Sequence, residues 1–354
     1  MAGGSPASGA ESSPRDPNPA SPTIEADPAI EHADDADSAV GSGSFVSSDS
    51  LTDSIFEYRR LHGRTFQNSK TTEYWAPNDE QQNEGLDILH NALVMIQDDN
   101  LFLAPIGDNP QQVIDIGTGT GIWAIDFADQ FPSAEVVGTD ISPIQPSWVP
   151  PNLKFVIEDC LLDWTWTEDH FDFVNIRSMY GSIPDFGDLY KSAYKHLKPG
   201  GWMQNLEVEC KLKTDHVDLP EDHIFNKWGD LFYEGGEKMG RTFAIACDHQ
   251  MRDYMVAAGF VNIEEKKIKM PTHGWPKDKR LQHVGLLVQA CLDESLEGFA
   301  LFLFTQVMGW EKAEVTVLLA KMRREMRRKD LCAYTILTIV YGQKPPNTEK
   351  ESET

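Results

Sequence analysis

One short run carries the first chemical signal: Val113-Ile114-Asp115-Ile116-Gly117-Thr118-Gly119-Thr120-Gly121, an acid followed by three glycines at alternate positions. It follows an apolar stretch and precedes a helix-like one, Ile122 to Gln130. Glycines in that position allow a tight turn and a close approach of backbone to a ligand. With no Lys after the glycines the run is not a Walker loop. Ile122 stands where a dinucleotide-binding GxGxxG turn has its third glycine. The acid two residues ahead of Gly117 would repel a pyrophosphate and attract a cationic ligand bearing an amino-acid group. Nineteen residues past Gly121, Asp140 ends the run Val136-Val137-Gly138-Thr139. An acid at the end of a second strand is where two hydrogen bonds to one carboxylate hold a ribose diol. A third apolar run ends at Glu158-Asp159 and a fourth at Asn175-Ile176-Arg177.

These residues need a scaffold that brings strand ends together. Short apolar runs at Val113–Ile116, Glu135–Thr139, Leu153–Ile157, Phe171–Ile176 and Trp202–Val208 alternate with helical stretches, the pattern of crossover units and a parallel sheet. Pro199-Gly200-Gly201 reads as a turn feeding the fifth run, and Asp188–Leu197 as a covering helix. Val261–Met270 and Tyr334–Tyr341 both read as edge strands. The stretch 274–331 between them has a helical period and too much length for a loop. Ahead of the sheet, Asn78, Asp79, Glu80 and Glu84 mark a helix start, and Leu86, Leu89, Leu93 and Ile96 recur at helical spacing.

The chain has 354 residues, 31 basic against 56 acidic, and a net charge of −25. Bulk polyanion binding is therefore disfavoured. Ten acids and one base in residues 1–55 account for −9, leaving −16 on the rest. Residues 1–53 are rich in Ser, Ala, Pro and Asp and read as a disordered tail, as do 347–354. The tail either solubilises or serves as an interaction arm modifiable at Ser42, Ser44, Ser47, Ser48 and Ser50. Cys160, Cys210, Cys247, Cys291 and Cys332 lie too far apart for a metal knuckle, and no metal site is expected. No apolar run reaches the ~20 residues of a membrane span.

The acid-x-Gly-x-Gly-x-Gly turn with an acidic second strand end resembles the class I S-adenosylmethionine (SAM)-dependent methyltransferases. His62-Gly63-Arg64-Thr65-Phe66, Tyr74-Trp75-Ala76-Pro77-Asn78-Asp79-Glu80, Asp87-Ile88-Leu89-His90 and the closing Tyr341-Gly342-Gln343-Lys344-Pro345 narrow the resemblance to the fungal LaeA-like methyltransferases over about residues 55–345. The resemblance implies a Rossmann-like seven-stranded α/β sheet over 111–346. It also implies an N-terminal helical cap over 54–110 and a helical lid over 274–331. It places Gly117, Thr118, Gly119 and Gly121 at the methionine part of SAM, with Asp115 orienting the turn or the ammonium. Asp140 and Ile141 fall at the ribose, Glu158 and Asp159 at the adenine, and Asn175 to Ser178, including Arg177, near the sulfonium. Tyr74 and Trp75 either close over the cofactor or staple the following helix. Gly63-Arg64 either clasps a carboxylate or forms an exposed turn.

Tyr180, Glu207 and His196 are the candidates for a general base, each with a structural alternative, and no base is assigned. Met239-Gly240-Arg241 and Trp275-Pro276 are expected in a lid over the acceptor. The bases between Lys321 and Lys329 form either an import signal or the solvated side of a packed helix. The expected activity is methyl transfer from SAM to a fungal secondary metabolite or a regulatory protein, in the cytoplasm or nucleus. The alternative is a SAM-binding regulatory subunit acting through a velvet-type partner. A nicotinamide enzyme is a third reading, against which the glycine spacing counts.

Overall fold

The computed structural model describes residues 58–69 and 71–347, and the tail assignments therefore lie almost entirely outside the described residues. The cap opens with a small hairpin, β1 (Arg59–Leu61) against β2 (Arg64–Phe66), before α1 (Glu80–Ile96). The expected all-helical cap thus gains a two-stranded element. Asp79 caps α1 by accepting from the Gln82 amide. It also receives two guanidinium N–H groups of Arg64, at 2.5 and 2.7 Å, so the carboxylate that Arg64 clasps belongs to the chain itself.

A seven-stranded sheet follows, built from β3 (Gln112–Ile116), β4 (Glu135–Asp140), β5 (Leu153–Ile157), β6 (Phe171–Arg177), β7 (Leu197–Val208), β8 (Val261–Pro271) and β9 (Tyr334–Gln343). Its order is β5-β4-β3-β6-β7-β9-β8, with the first five strands parallel and β9 antiparallel to both neighbours. Val113, Ile114 and Ile116 are fully buried because helices cover both faces. One face packs on α2 (Ile122–Gln130), α1 and α6 (Lys279–Phe302); the other packs on α3 (Phe186–His196) and α5 (Gln250–Ala258).

Tyr334–Tyr341 is not an edge. Leu337, Ile339 and Val340 are buried on alternating faces, and β8 takes the outer position, carrying Glu264, Glu265, Lys266 and Lys267. Pro199-Gly200-Gly201 lies inside β7 rather than before it; the distortion there is a register shift between Phe171 and Phe173.

Beyond the carboxyl ends of the strands lies another apolar cluster, in which Trp75, Phe232, Phe243 and Phe304 pack with α4 (Ile224–Met239), α6 and α7 (Lys312–Met326). Residues 274–331 do form helices, α6 and α7 joined through a π-turn at Leu303–Val307. Met322 and Met326 are buried, while Arg324 and Arg328 pair with Glu325, and Arg327 with Asp293. The basic run is the outer side of a packed amphipathic helix. Among the described residues no helix is long and apolar enough to cross a membrane.

In α6, Gly285 lies against the chain leaving β8: a Cβ there would stand 2.1 Å from the His273 carbonyl oxygen, which is backbone and cannot swing aside. Gly285→Ala is expected to lower stability by about 1–3 kcal/mol. An unchanged urea midpoint would show that this approach is looser than described.

Candidate functional site

β3 and β4 end on two carboxylates with different tasks, the buried Asp115 and the half-buried Asp140. Asp115 accepts from the Thr118 hydroxyl (2.6 Å) and the Asn175 amide (2.8 Å), so it ties the glycine turn to the end of β6. Burial raises its pKa against the pull of Arg177 and of these two donors. Gly117, Gly119 and Gly121 all have positive φ, at 67°, 58° and 83°. At Gly121 a Cβ would meet the Phe155 ring at 2.3 Å, whereas at Gly119 it would point into open space. Gly121 is thus a packing and helix-start residue, and Gly119 leaves a cradle where a side chain would otherwise stand.

Asp140 receives the Gly119 amide on one oxygen (2.8 Å) and the Ser142 amide on the other (2.9 Å), and burial pushes its pKa up to about 6. Each oxygen keeps a lone pair for a further donor. The same pocket is lined by Tyr74, Gly117, Thr118, Gly119, Ile141, Glu158, Asp159 and Arg177. Glu158 Oε2 and Asp159 Oδ2 are buried there with no partner. Asp115, Gly121 and Asn175 are not on its lining and support it from beneath.

The cap completes the pocket in ways the sequence reading did not assign. Asn78, Asn83, Leu86, Leu89 and His90 on and before α1 line it. His90 is buried; burial lowers its pKa, Asp126 pulls it back up and Arg177 pushes it down. Arg177 Nη1 lies 2.9 Å from His90 Nδ1, and His90 Nε2 lies 2.9 Å from Asp126. A guanidinium only donates, so Nδ1 accepts and Nε2 carries the proton. The Thr120 hydroxyl donates to Asp87 at 2.6 Å, which ties α1 directly to the glycine turn. The Gln67 amide reaches the Ile141 carbonyl at 2.6 Å, and Arg241 binds the Thr72 hydroxyl and the Ser182 carbonyl, strapping residues 71–78 over the opening. The Asp87–His90 segment was visible in the sequence; its role was not, because only the fold brings α1 to the ends of β3 and β6.

None of the three base candidates faces this pocket. Glu207 is fully buried, and its oxygens accept from the Met179 and Tyr180 amides at 2.9 and 3.1 Å. Burial drives its pKa up to about 8, but its task is to hold the turn after β6. His196 ends α3, with Nδ1 2.8 Å from the Ser192 carbonyl oxygen and its ring stacked on Trp164. Tyr180 lies in the aromatic cluster, where burial keeps its hydroxyl protonated. Trp75 also belongs to that cluster, its Nε1 donating to the Tyr180 carbonyl at 3.2 Å, so only Tyr74 covers the pocket. Trp275 is no lid: it is buried and donates to the Ala333 carbonyl at 2.8 Å.

Removing Asp115 would leave the half-buried Arg177 short of one of its counter-charges, and would free Thr118 and Asn175. Asp115→Ala is expected to cost about 3–5 kcal/mol in urea unfolding, whereas Asp140→Ala, which frees only two backbone amides, costs less. Equal losses would contradict the division of tasks.

Residues 88–265 match the family model described as a methyltransferase domain. The methyltransferase pytC of Aspergillus terreus is 38% identical over 297 residues, 84% of this chain and 91% of its own length. The secondary metabolism regulator LAE1 of Cochliobolus heterostrophus is 34% identical over 80% of this chain and 94% of its own. The protein-methionine methyltransferase laeA of Emericella nidulans is 30% identical over 82% and 77%. Kinship of that extent, reaching well beyond the domain that the family model covers, makes this chain a member of the LaeA-like family of SAM-dependent methyltransferases.

Proposed function

We propose that the chain transfers the methyl group of SAM to a small-molecule acceptor of fungal secondary metabolism, in the cytoplasm or nucleus. The observation that carries this reading is the convergence of Asp140, Glu158, Asp159 and Arg177 on one pocket beside the glycine turn. Their chemistry fits the cofactor. Asp140 has lone pairs left for a ribose diol, and the unpartnered oxygens of Glu158 and Asp159 suit an exocyclic amine. The guanidinium of Arg177 suits a carboxylate, and the acidic balance of the lining favours a cation.

Bound there, SAM supplies a methyl group already activated on a positively charged sulfur. The protein's part is therefore to bind, orient and exclude water. The strap from Thr72 to Asn78 and the Tyr74 ring close the pocket on one side, and Arg177 is held in place by His90. Tyr180 stays protonated and Glu207 is tied to backbone, so neither serves as a base. An acceptor that is nucleophilic without a protein base, such as a neutral amine, or a thiol or acidic hydroxyl that ionises readily, is the kind this site favours.

A second reading, a SAM-binding regulatory subunit acting through a velvet-type partner, draws on the relatives named as secondary metabolism regulators. Metabolite profiling with labelled methionine, in strains with and without the gene, separates the two. Loss of one labelled methyl from one product supports the enzyme acting on a metabolite; broad loss of many metabolites favours the regulator.

The Asp140 pKa adds a test of the cofactor site. Its ionised form accepts hydroxyl donors, and protonation removes that capacity as pH falls through about 6. Affinity for S-adenosylhomocysteine is expected to hold from pH 8 to 7 and then to fall toward ~10-fold per pH unit below 6. Calorimetry showing a flat profile down to pH 5 would remove Asp140 from the cofactor site.

A further inference from the structure

We infer that the apolar cavity behind Trp75 and Tyr180 receives the hydrocarbon part of the methyl acceptor, which is accordingly a lipophilic small molecule carrying one nucleophilic group. The inference rests on the cofactor reading above and names the class of acceptor that the same site takes.

The cavity has a volume of about 90 Å³ and is walled by Trp75, Tyr180, Phe232, Phe299, Met322 and Met326, with Leu89 shared between it and the cofactor pocket. Tyr74 and Met179 line the cofactor pocket, and their chain neighbours Trp75 and Tyr180 line the cavity. One layer of side chains therefore separates the two spaces. That layer is fixed by the Trp75 Nε1 bond to the Tyr180 carbonyl and by ring packing at 5.9 Å between centroids. A molecule passing Leu89 has its polar end among the cofactor groups and its apolar end among these rings.

Close-packed interiors leave few voids larger than a water molecule. This one lies in the aromatic cluster where α4, α6 and α7 meet, the segments added to the sheet. An apolar cavity of ~150 Å³ stays dry and takes up benzene. At about 90 Å³ this one holds a short branched hydrocarbon as it stands. Three methionines on its wall, Met270, Met322 and Met326, are unbranched and can re-pack around a ring.

The polar groups on its wall are mostly committed. Thr335 donates to the Glu209 carbonyl, Thr272 to the Ala333 carbonyl, and Glu209 pairs with Lys213. Tyr180 differs: among the described residues its hydroxyl makes no hydrogen bond, and burial keeps it protonated, so it offers one donor to an acceptor's oxygen. A peptide would bring several amide groups against a wall with little to satisfy them. A mainly hydrocarbon ligand with one oxygen matches it.

The test uses 4-fluorotoluene, followed by fluorine NMR on the full chain saturated with S-adenosylhomocysteine. The wild type is expected to bind it saturably. Cys291→Phe, which fills the cavity from α6, should weaken it at least tenfold while affinity for S-adenosylhomocysteine stays within twofold by calorimetry. A second variant, Phe299→Ala, enlarges the cavity and should bind 1-fluoronaphthalene at least tenfold more tightly than the wild type does. Absence of saturable binding in a wild type that holds S-adenosylhomocysteine overturns the inference, as does binding insensitive to both variants. If the wild type fails to bind S-adenosylhomocysteine, the cofactor reading falls and takes this inference with it.

Discussion

A carboxylate sealed beneath a glycine turn is the constraint on which the rest of this molecule depends. Asp115 is buried, so its neighbours must stabilise it: Thr118 from the turn, Asn175 from the adjacent strand, and the nearby charge of Arg177. Each partner is thereby fixed as well. Thr118 sets the turn, Asn175 sets the end of β6, and Arg177 reaches His90 and through it Asp126 on α2. Cap and sheet are joined through one network of polar groups, most of them buried, which is satisfied only when α1 is docked. A half-formed network would leave a buried charge exposed to apolar surroundings, so the arrangement favours a single docked state.

Asp140 shows the complementary use of the same chemistry. Two backbone amides hold it, and its remaining lone pairs face the pocket, so its raised pKa reflects burial awaiting a further donor. Glu207, on β7 two strands from Asp115 in the sheet, repeats the supporting role of Asp115 by gathering the Met179 and Tyr180 amides. That turn separates the cofactor groups from the aromatic cluster. The segments added to the sheet, α4, α6 and α7, bury their apolar faces against one another at the strand ends. They thereby build the second space next to the first.

The parallel core was legible in the sequence because its signals are local. A glycine turn, five apolar runs and acids at strand ends follow from residue type and spacing alone. The inner position of β9 was not legible: both runs carry strand composition and read as edges, and which one takes the edge depends on the charges of β8 meeting solvent while β9 is covered on both faces. The hairpin of three-residue strands was too short to leave a period. Asn83 and His90 look like ordinary positions of an amphipathic helix and Asn78 like part of its start, and they reach the site only through the docking of α1. The base candidates went the other way. Tyr180, Glu207 and His196 lie close in sequence to strand ends, yet their side chains are taken by backbone and ring partners.

The central claim is that the pocket beside the glycine turn is shaped for a cationic, ribose-bearing cofactor rather than for a pyrophosphate. Calorimetric titration of the full chain with SAM and with NAD⁺ under the same conditions tests it most directly. The account predicts one site per chain for SAM and no detectable heat with NAD⁺. Binding of NAD⁺ at an affinity equal to or greater than that of SAM, or no binding of SAM, would contradict it.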